Sequence, residues 1–200
     1  MPSPIEFYFD LSSPYAYFAR HAIEPVAAHL GRGVTWKPIM IGAAFKASGN
    51  VPLVQQPMKG RYSVRDWARM GRLMNVPWVL PDPFPIATLA GARAFYWQDA
   101  QDPARAVALA KTLFDAYFGQ GIDIGGAAKV AELAQPLGIA KADLLAAIEA
   151  PQWKQRLKDE TEKAIERGVF GAPFFFLDGE PFWGVDRLPM LEEWAKRGGF

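Results

Sequence analysis

Strand-like sequence in this chain is confined to its two ends, and that split most limits what it can fold into. Near the start, Ile5–Phe9 and residues 34–41 are short runs rich in aromatic and β-branched side chains. Between them, residues 14–30 carry apolar side chains at helical spacing (Tyr15, Phe18, Ala19, Ala22, Val26, Leu30), and Gly31 ends the run as a C-cap. A strand–helix–strand unit of this length implies parallel strands. Near the end, Phe174–Leu177 and Glu180–Trp183 flank Asp178-Gly179, a strong hairpin signal. A helix over residues 187–196 follows, with Leu188, Leu191 and Trp194 on one side and Asp186 as its expected N-cap. Everything between reads as helix: residues 103–118 opened by Asp102-Pro103, then 130–137, 141–150 and 153–167, with breaks at residues 81–85, Gly125-Gly126 and Gly138. The expected order is therefore β-α-β, a helical stretch, and β-β-α. Strands from both ends share one sheet only if the middle is an insertion, so residues 1–42 and 168–200 form one discontinuous α/β domain and 43–167 an all-helical inserted domain.

The 200 residues are half apolar, about a fifth charged, and carry a formal net charge of +1. This is the balance of an ordinary globular protein, with no electrostatic case for nucleic acid or an anionic membrane. There is no cysteine, which removes disulfides, thiolate metal sites and a redox dithiol. No apolar run reaches membrane-spanning length, and residues 1–4 lead into strand-like sequence without a secretory pattern, so the expected location is the cytoplasm.

Three clusters could carry chemistry. In Ser12-Ser13-Pro14-Tyr15, Ser13 stands at the N-cap and Pro14 at the first helical position. Free N–H groups and the helix dipole there favour a thiolate, phosphate or carboxylate, but Ser13 is equally readable as a plain cap worth about 1 kcal/mol. His21 and His29, the only histidines, lie along the same helix and do not face the turn, so a histidine-activated serine is poorly supported, as is a metal set. In Gly171-Ala172-Pro173, a proline at a strand's start is open to a cis or a trans reading. Ala172 could pair with an extended ligand as an added strand. In Trp183-Gly184-Val185-Asp186-Arg187, Gly184 permits close backbone approach, and Asp186 can cap a helix, bind an ammonium group, or do both. Lys59, Arg61, Arg65, Arg69 and Arg72 cluster in what reads as a solvated face or a carboxylate-binding pocket mouth. Lys46 and Ser48-Gly49-Asn50 follow the second strand, where a loop would line a site.

Taken in order, residues 7–15, Ser48-Gly49-Asn50, residues 170–173 and residues 183–187 resemble the DsbA-like branch of the thioredoxin superfamily. Within that branch they are similar to the 2-hydroxychromene-2-carboxylate isomerases and the kappa-class glutathione transferases. The resemblance spans essentially the whole chain. It implies a thioredoxin-like domain with a large helical insertion, a homodimer, and glutathione as cofactor. Ser13 replaces the first cysteine of the redox motif and would hydrogen-bond the glutathione thiol. Ala172, before a cis-Pro173, would pair with the cysteinyl backbone. Val185 and Asp186 would hold the γ-glutamyl end, with Trp183 and Gly184 shaping that wall. Lys46, Asn50 and Lys59 would meet glutathione or substrate. An aromatic substrate would sit among Tyr15, Phe45, Trp67, Trp78 and Phe84. The resemblance implies isomerisation through reversible addition of the thiolate; a transferase, or a non-catalytic glutathione-binding module, would use the same residues. Ala16 departs from the family's frequent serine, which leaves Ser13 as the hydroxyl of the site.

Overall fold

The computed structural model describes residues 2–200. Its four-stranded sheet has the order β2-β1-β3-β4, with β1 (Ile5–Phe9), β2 (Val34–Pro38), β3 (Phe174–Leu177) and β4 (Glu180–Trp183). β1 and β2 are parallel, in register Ile5 with Val34, and are linked by α1 (Pro14–His29). β3 is antiparallel to β1, pairing Glu6 with Phe176, and to β4, pairing Phe175 with Phe182. The two ends of the chain therefore share one sheet.

Period-two alternation divides β1 between two cores. Phe7 and Phe9 point to the α1 side, where each packs edge-to-face with Trp36 and Phe7 also stacks on Phe175 at 5.3 Å. Tyr8 points the other way, with Phe174, Phe176 and Ile39, against Ala164 and Val169. The first core does not stop at the inserted segment. Phe9 also packs on Phe95 and Phe114, 5.8 and 5.6 Å away. These belong to α4 (Leu89–Asp99) and α5 (Pro103–Phe114). One cluster of buried side chains thus runs from the sheet through α1 into the helical middle. That middle also contains α2 (Ile41–Ser48), α3 (Pro57–Met74), α6 (Ala127–Ala134), α7 (Lys141–Glu149) and α8 (Pro151–Glu166). No helix among the described residues is long and apolar enough to cross a membrane.

Three local expectations are corrected. β2 ends at Pro38, not at residue 41, because the amides of Met40 and Ile41 turn to side chains, Thr161 Oγ1 at 3.1 Å and Asp10 Oδ2 at 3.0 Å. The helix of residues 103–118 ends at Phe114, and a widened π-type turn, Asp115–Gly119, carries the chain onward. Asp186 does not cap the last helix. Val185–Arg187 form a 3₁₀ turn first, α9 (Leu188–Arg197) starts one residue later, and the Asp186 carboxylate points out to an ion pair with Arg187 at 3.1 Å. Asp102 does cap α5, accepting from the Arg105 N–H at 3.0 Å.

A charged staple ties the end of α8 to the sheet. Glu6 accepts two hydrogen bonds from Arg167, at 2.7 and 2.8 Å, and one from Lys37 at 2.6 Å. The Arg167 guanidinium also lies over the Phe176 ring, 4.1 Å from its centre. Arg167 most of all, then Lys37, brings the Glu6 carboxyl down to about 2, against the pull of burial. A carboxyl lowered on folding adds stability above its unfolded value, and that stability is lost as pH falls through 4.5 toward 2. Glu6→Gln is therefore expected to lower the urea midpoint at pH 7 and to converge on the wild type near pH 2. Equal destabilisation at both pH values would show that the staple's charge is irrelevant.

Candidate functional site

The site is built at the carboxyl end of β1. Asp10 leaves the strand buried and accepts four hydrogen bonds from three segments. Oδ1 takes the Ser12 N–H at 2.8 Å, the Ser12 hydroxyl at 2.8 Å and the Thr88 hydroxyl at 2.9 Å, and Oδ2 takes the Ile41 N–H. This fixes the turn that delivers Ser13 to α1. The Ser13 oxygen accepts the Ala16 N–H at 3.2 Å as an N-cap, and its proton goes to the carbonyl of Ala172 at 2.9 Å, across 159 positions of sequence. The Ala172-Pro173 bond is cis. The two ends of the chain thus meet at one hydroxyl.

Around this point lies a cavity of about 910 Å³. Ser13, Ala172 and Pro173 line its floor. Trp183, Gly184, Val185 and Asp186 form one wall. There Gly184 has φ +103°, and an added Cβ would sit 2.5 Å from Asp186 Oδ1, so only glycine fits without strain. Gly171 is held as closely, because a Cβ there would lie 2.9 Å from Trp183 Nε1. The opposite wall is aromatic and comes from the inserted segment and α1: Tyr15, Phe45, Trp67 and Phe84, with Trp67 edge-on to Phe84 at 5.6 Å. Asn50 and Lys59 are exposed residues on the cavity rim, and Asn50 Nδ2 reaches across to the Phe170 carbonyl at 3.3 Å.

Two expected residues lie elsewhere. Lys46 is exposed outside the cavity. It follows Phe45 by one position on α2, and a step of about 100° on a helix takes it off the face that Ile41, Gly42 and Phe45 present. Trp78 lies outside the cavity, half-buried against the core, stacked on Phe118 at 5.4 Å and packed on Phe18 at 5.2 Å. The histidines stand apart as well: His29 is exposed, and burial first, then Arg20 and Lys111, pushes His21 down to about 4. No set of three metal-binding side chains is gathered among the described residues. Of the basic cluster on α3, Arg65, Arg69 and Arg72, expected on one helical face, are all exposed, as is Arg61.

Sequence reasoning missed four polar residues in this cavity: Asp10, Gln56, Asp66 and Thr88. Asp66, on α3, accepts the Tyr15 hydroxyl at 2.9 Å, and its other oxygen accepts from Arg69 at 2.8 Å. Burial, and then Asp66, raises the Tyr15 phenol well above its ordinary value, so it remains protonated.

A DSBA-like thioredoxin domain model matches residues 4–195. The 2-hydroxychromene-2-carboxylate isomerase of Pseudomonas putida is 30% identical over 190 residues, covering 94% of this chain and 92% of that one. The chain belongs to this isomerase family, within the DSBA-like thioredoxin domains. A solved structure of a 2-hydroxychromene-2-carboxylate isomerase superposes with a TM-score of 0.87 at 30% identity, covering 96% of this chain and 94% of that one. Glutathione S-transferase kappa 2 of Caenorhabditis elegans is 24% identical, over 94% of this chain and 90% of its own. The family therefore carries both the thioredoxin-like sheet and the helical middle found here.

Asp10→Ala would leave four donors without their acceptor in a largely buried site. We expect a loss of about 3 kcal/mol in denaturant-derived stability. Asp10→Asn, which keeps one acceptor oxygen, is expected to lose clearly less. A loss below about 1 kcal/mol for Asp10→Ala would mean that the turn holds without its carboxylate.

Proposed function

We propose that this protein is a glutathione-dependent cis-trans isomerase acting on 2-hydroxychromene-2-carboxylate or a close analogue in aromatic-compound degradation. We place it in the cytoplasm as a homodimer, the assembly that the family resemblance implies. The observation that carries the reading is the Ser13 hydroxyl at the N-terminus of α1, facing Ala172 beside cis-Pro173 on the floor of an aromatic-walled cavity. Helix N-termini favour thiolates, and this chain has no cysteine of its own to put there.

The groups present suit glutathione. The Ala172 N–H meets no acceptor among the described residues, and its carbonyl is held only by Ser13. Together they offer one donor and one acceptor to an extended peptide. Gly184 keeps the backbone next to Val185 and Asp186 open for the γ-glutamyl end, with Trp183 as its flank. Asn50 stands at the rim. Bound glutathione would supply the thiolate that adds reversibly to the conjugated, ring-opened substrate. Ser13 has one proton, now given to Ala172. When a peptide N–H takes over the Ala172 carbonyl, that proton is free to turn to sulfur while Oγ still caps α1. Ser13 thus steadies a nucleophile and is not itself one. Tyr15 and Phe84 offer ring faces and edges to an aromatic substrate and shield the site from water, and Lys59 offers a cation to its carboxylate.

The kappa-class relatives support a second reading with the same residues, a glutathione transferase whose adduct is released. Stable conjugate formed from glutathione and an aryl halide, without isomerase turnover, would favour it. For either activity, Ser13→Ala is expected to raise the pKa of the bound thiol by about one to two units, about 1.4 kcal/mol for each. This is readable as thiolate absorbance against pH. Turnover at neutral pH should fall roughly tenfold or more. Unchanged turnover with glutathione still bound would remove Ser13 from the catalytic role.

A further inference from the structure

The cavity wall is mostly apolar, so the few polar groups it exposes decide what polar substituents a ligand can bring. Two of them lie on one face of α3. Lys59 and Asp66 are seven residues apart, two helical turns or about 10 Å along the axis, and both line the cavity. Lys59 has no carboxylate partner among the described residues. Asp66 is committed differently. One oxygen holds the Tyr15 hydroxyl and the other holds Arg69. A carboxylate has about four acceptor sites, so Asp66 retains capacity. The Tyr15 oxygen, having given its proton to Asp66, is left with only acceptor capacity. Donation to a carboxylate also makes it a stronger acceptor. The ring of Tyr15 stands edge-on to Trp67 at 6.0 Å, so this acceptor is fixed in an aromatic wall.

We propose that Tyr15 is the residue that reads a hydroxyl on the ligand, its oxygen accepting the ligand's O–H while Asp66 holds its own proton, with Lys59 two turns away at the carboxylate end. The proposal rests on the cavity being the substrate site, and it adds which end of the substrate each group meets. A phenol or enol donates to the Tyr15 oxygen, whose own proton Asp66 holds. A ligand without that hydroxyl covers the Tyr15 oxygen and gives it no donor, which is how a buried polar site rejects a close analogue.

Calorimetric titration of the glutathione-saturated protein with 2-hydroxycinnamate, cinnamate and 2-vinylphenol tests this, and the wild-type comparison needs no variant. The expected order is 2-hydroxycinnamate at least about tenfold tighter than either of the others, a difference of about 1.4 kcal/mol. Tyr15→Phe should erase the preference over cinnamate and keep the preference over 2-vinylphenol. Lys59→Met should do the reverse, and Asp66→Asn should weaken the hydroxyl preference without removing it. Cinnamate binding as tightly as 2-hydroxycinnamate overturns the proposal, as does binding of none of the three ligands. It is also overturned if Tyr15→Phe weakens 2-hydroxycinnamate and cinnamate alike, or if Lys59→Met acts only on glutathione affinity. A hydroxyl preference found without isomerase turnover keeps the subsite and removes the isomerase reading. Turnover without the preference does the opposite.

Discussion

The carboxylate of Asp10 ends β1 inside the protein, and the three segments that surround it are held there by donating to it. Ser12 contributes an amide and a hydroxyl, Ile41 an amide, and Thr88 a hydroxyl. A buried charge is tolerated only when its lone pairs are occupied, so each of these segments is drawn to one point. The turn before α1 is thereby set, and with it the position of Ser13. The start of α2 and the start of α4, both on the side of the aromatic wall, are fixed by the same carboxylate. Remove the carboxylate and the floor and the walls lose their common reference.

The second link is the Ser13 to Ala172 hydrogen bond. A hydroxyl is well suited to this junction because it accepts and donates at once. It accepts from Ala16 to close the first turn of α1, and that role does not consume its proton. The proton is spent on a carbonyl that belongs to the segment before cis-Pro173. The first turn of α1 carries no acidic residue, so the partial positive charge of the helix end is left uncancelled within that turn. The site therefore combines a movable proton with a fixed dipole, and both favour an anion brought from outside.

What the chain discloses as sequence is what depends on neighbours in sequence. Ser13-Pro14 reads as a helix start and Asp178-Gly179 as a hairpin because caps and turns are set within four residues. Parallel pairing of β1 and β2 follows from one crossover helix. Asp10 and Asp66 were not legible as site residues, since the partners that carry them into the site, Ile41, Thr88 and Tyr15, lie 31, 78 and 51 positions away, while their local partners Ser12 and Arg69 make only a turn and a helix-surface pair. Nothing local distinguishes Asp66 from any acidic residue on a charged helix. Trp67 and Trp78 look alike as aromatic residues in a helical region; only packing sends one to the cavity and the other against Phe118. Asp186 reads as a cap because it precedes an apolar helix, yet the intervening 3₁₀ turn moves the helix start and frees its carboxylate.

The cavity lies on a seam between two parts of the chain with different tolerances for change. Its floor comes from the turn after β1 and from the Ala172-Pro173 segment, where the Ser13 bond fixes the two strands of chain to each other and a side chain at Gly171 would meet Trp183. Its aromatic wall comes mainly from α3 and the residues just before α4, which are tied to the floor by Thr88, by the Tyr15–Asp66 hydrogen bond and by the Tyr15–Trp67 ring contact. A side chain on that wall can change size or polarity without touching the hydrogen bonds that hold the anion site. Under the proposed function, the arrangement would separate the part that steadies a thiolate from the part that reads the substrate. On physical grounds, the same floor can therefore serve an isomerase or a transferase, and the difference between them is to be sought on the α3 side.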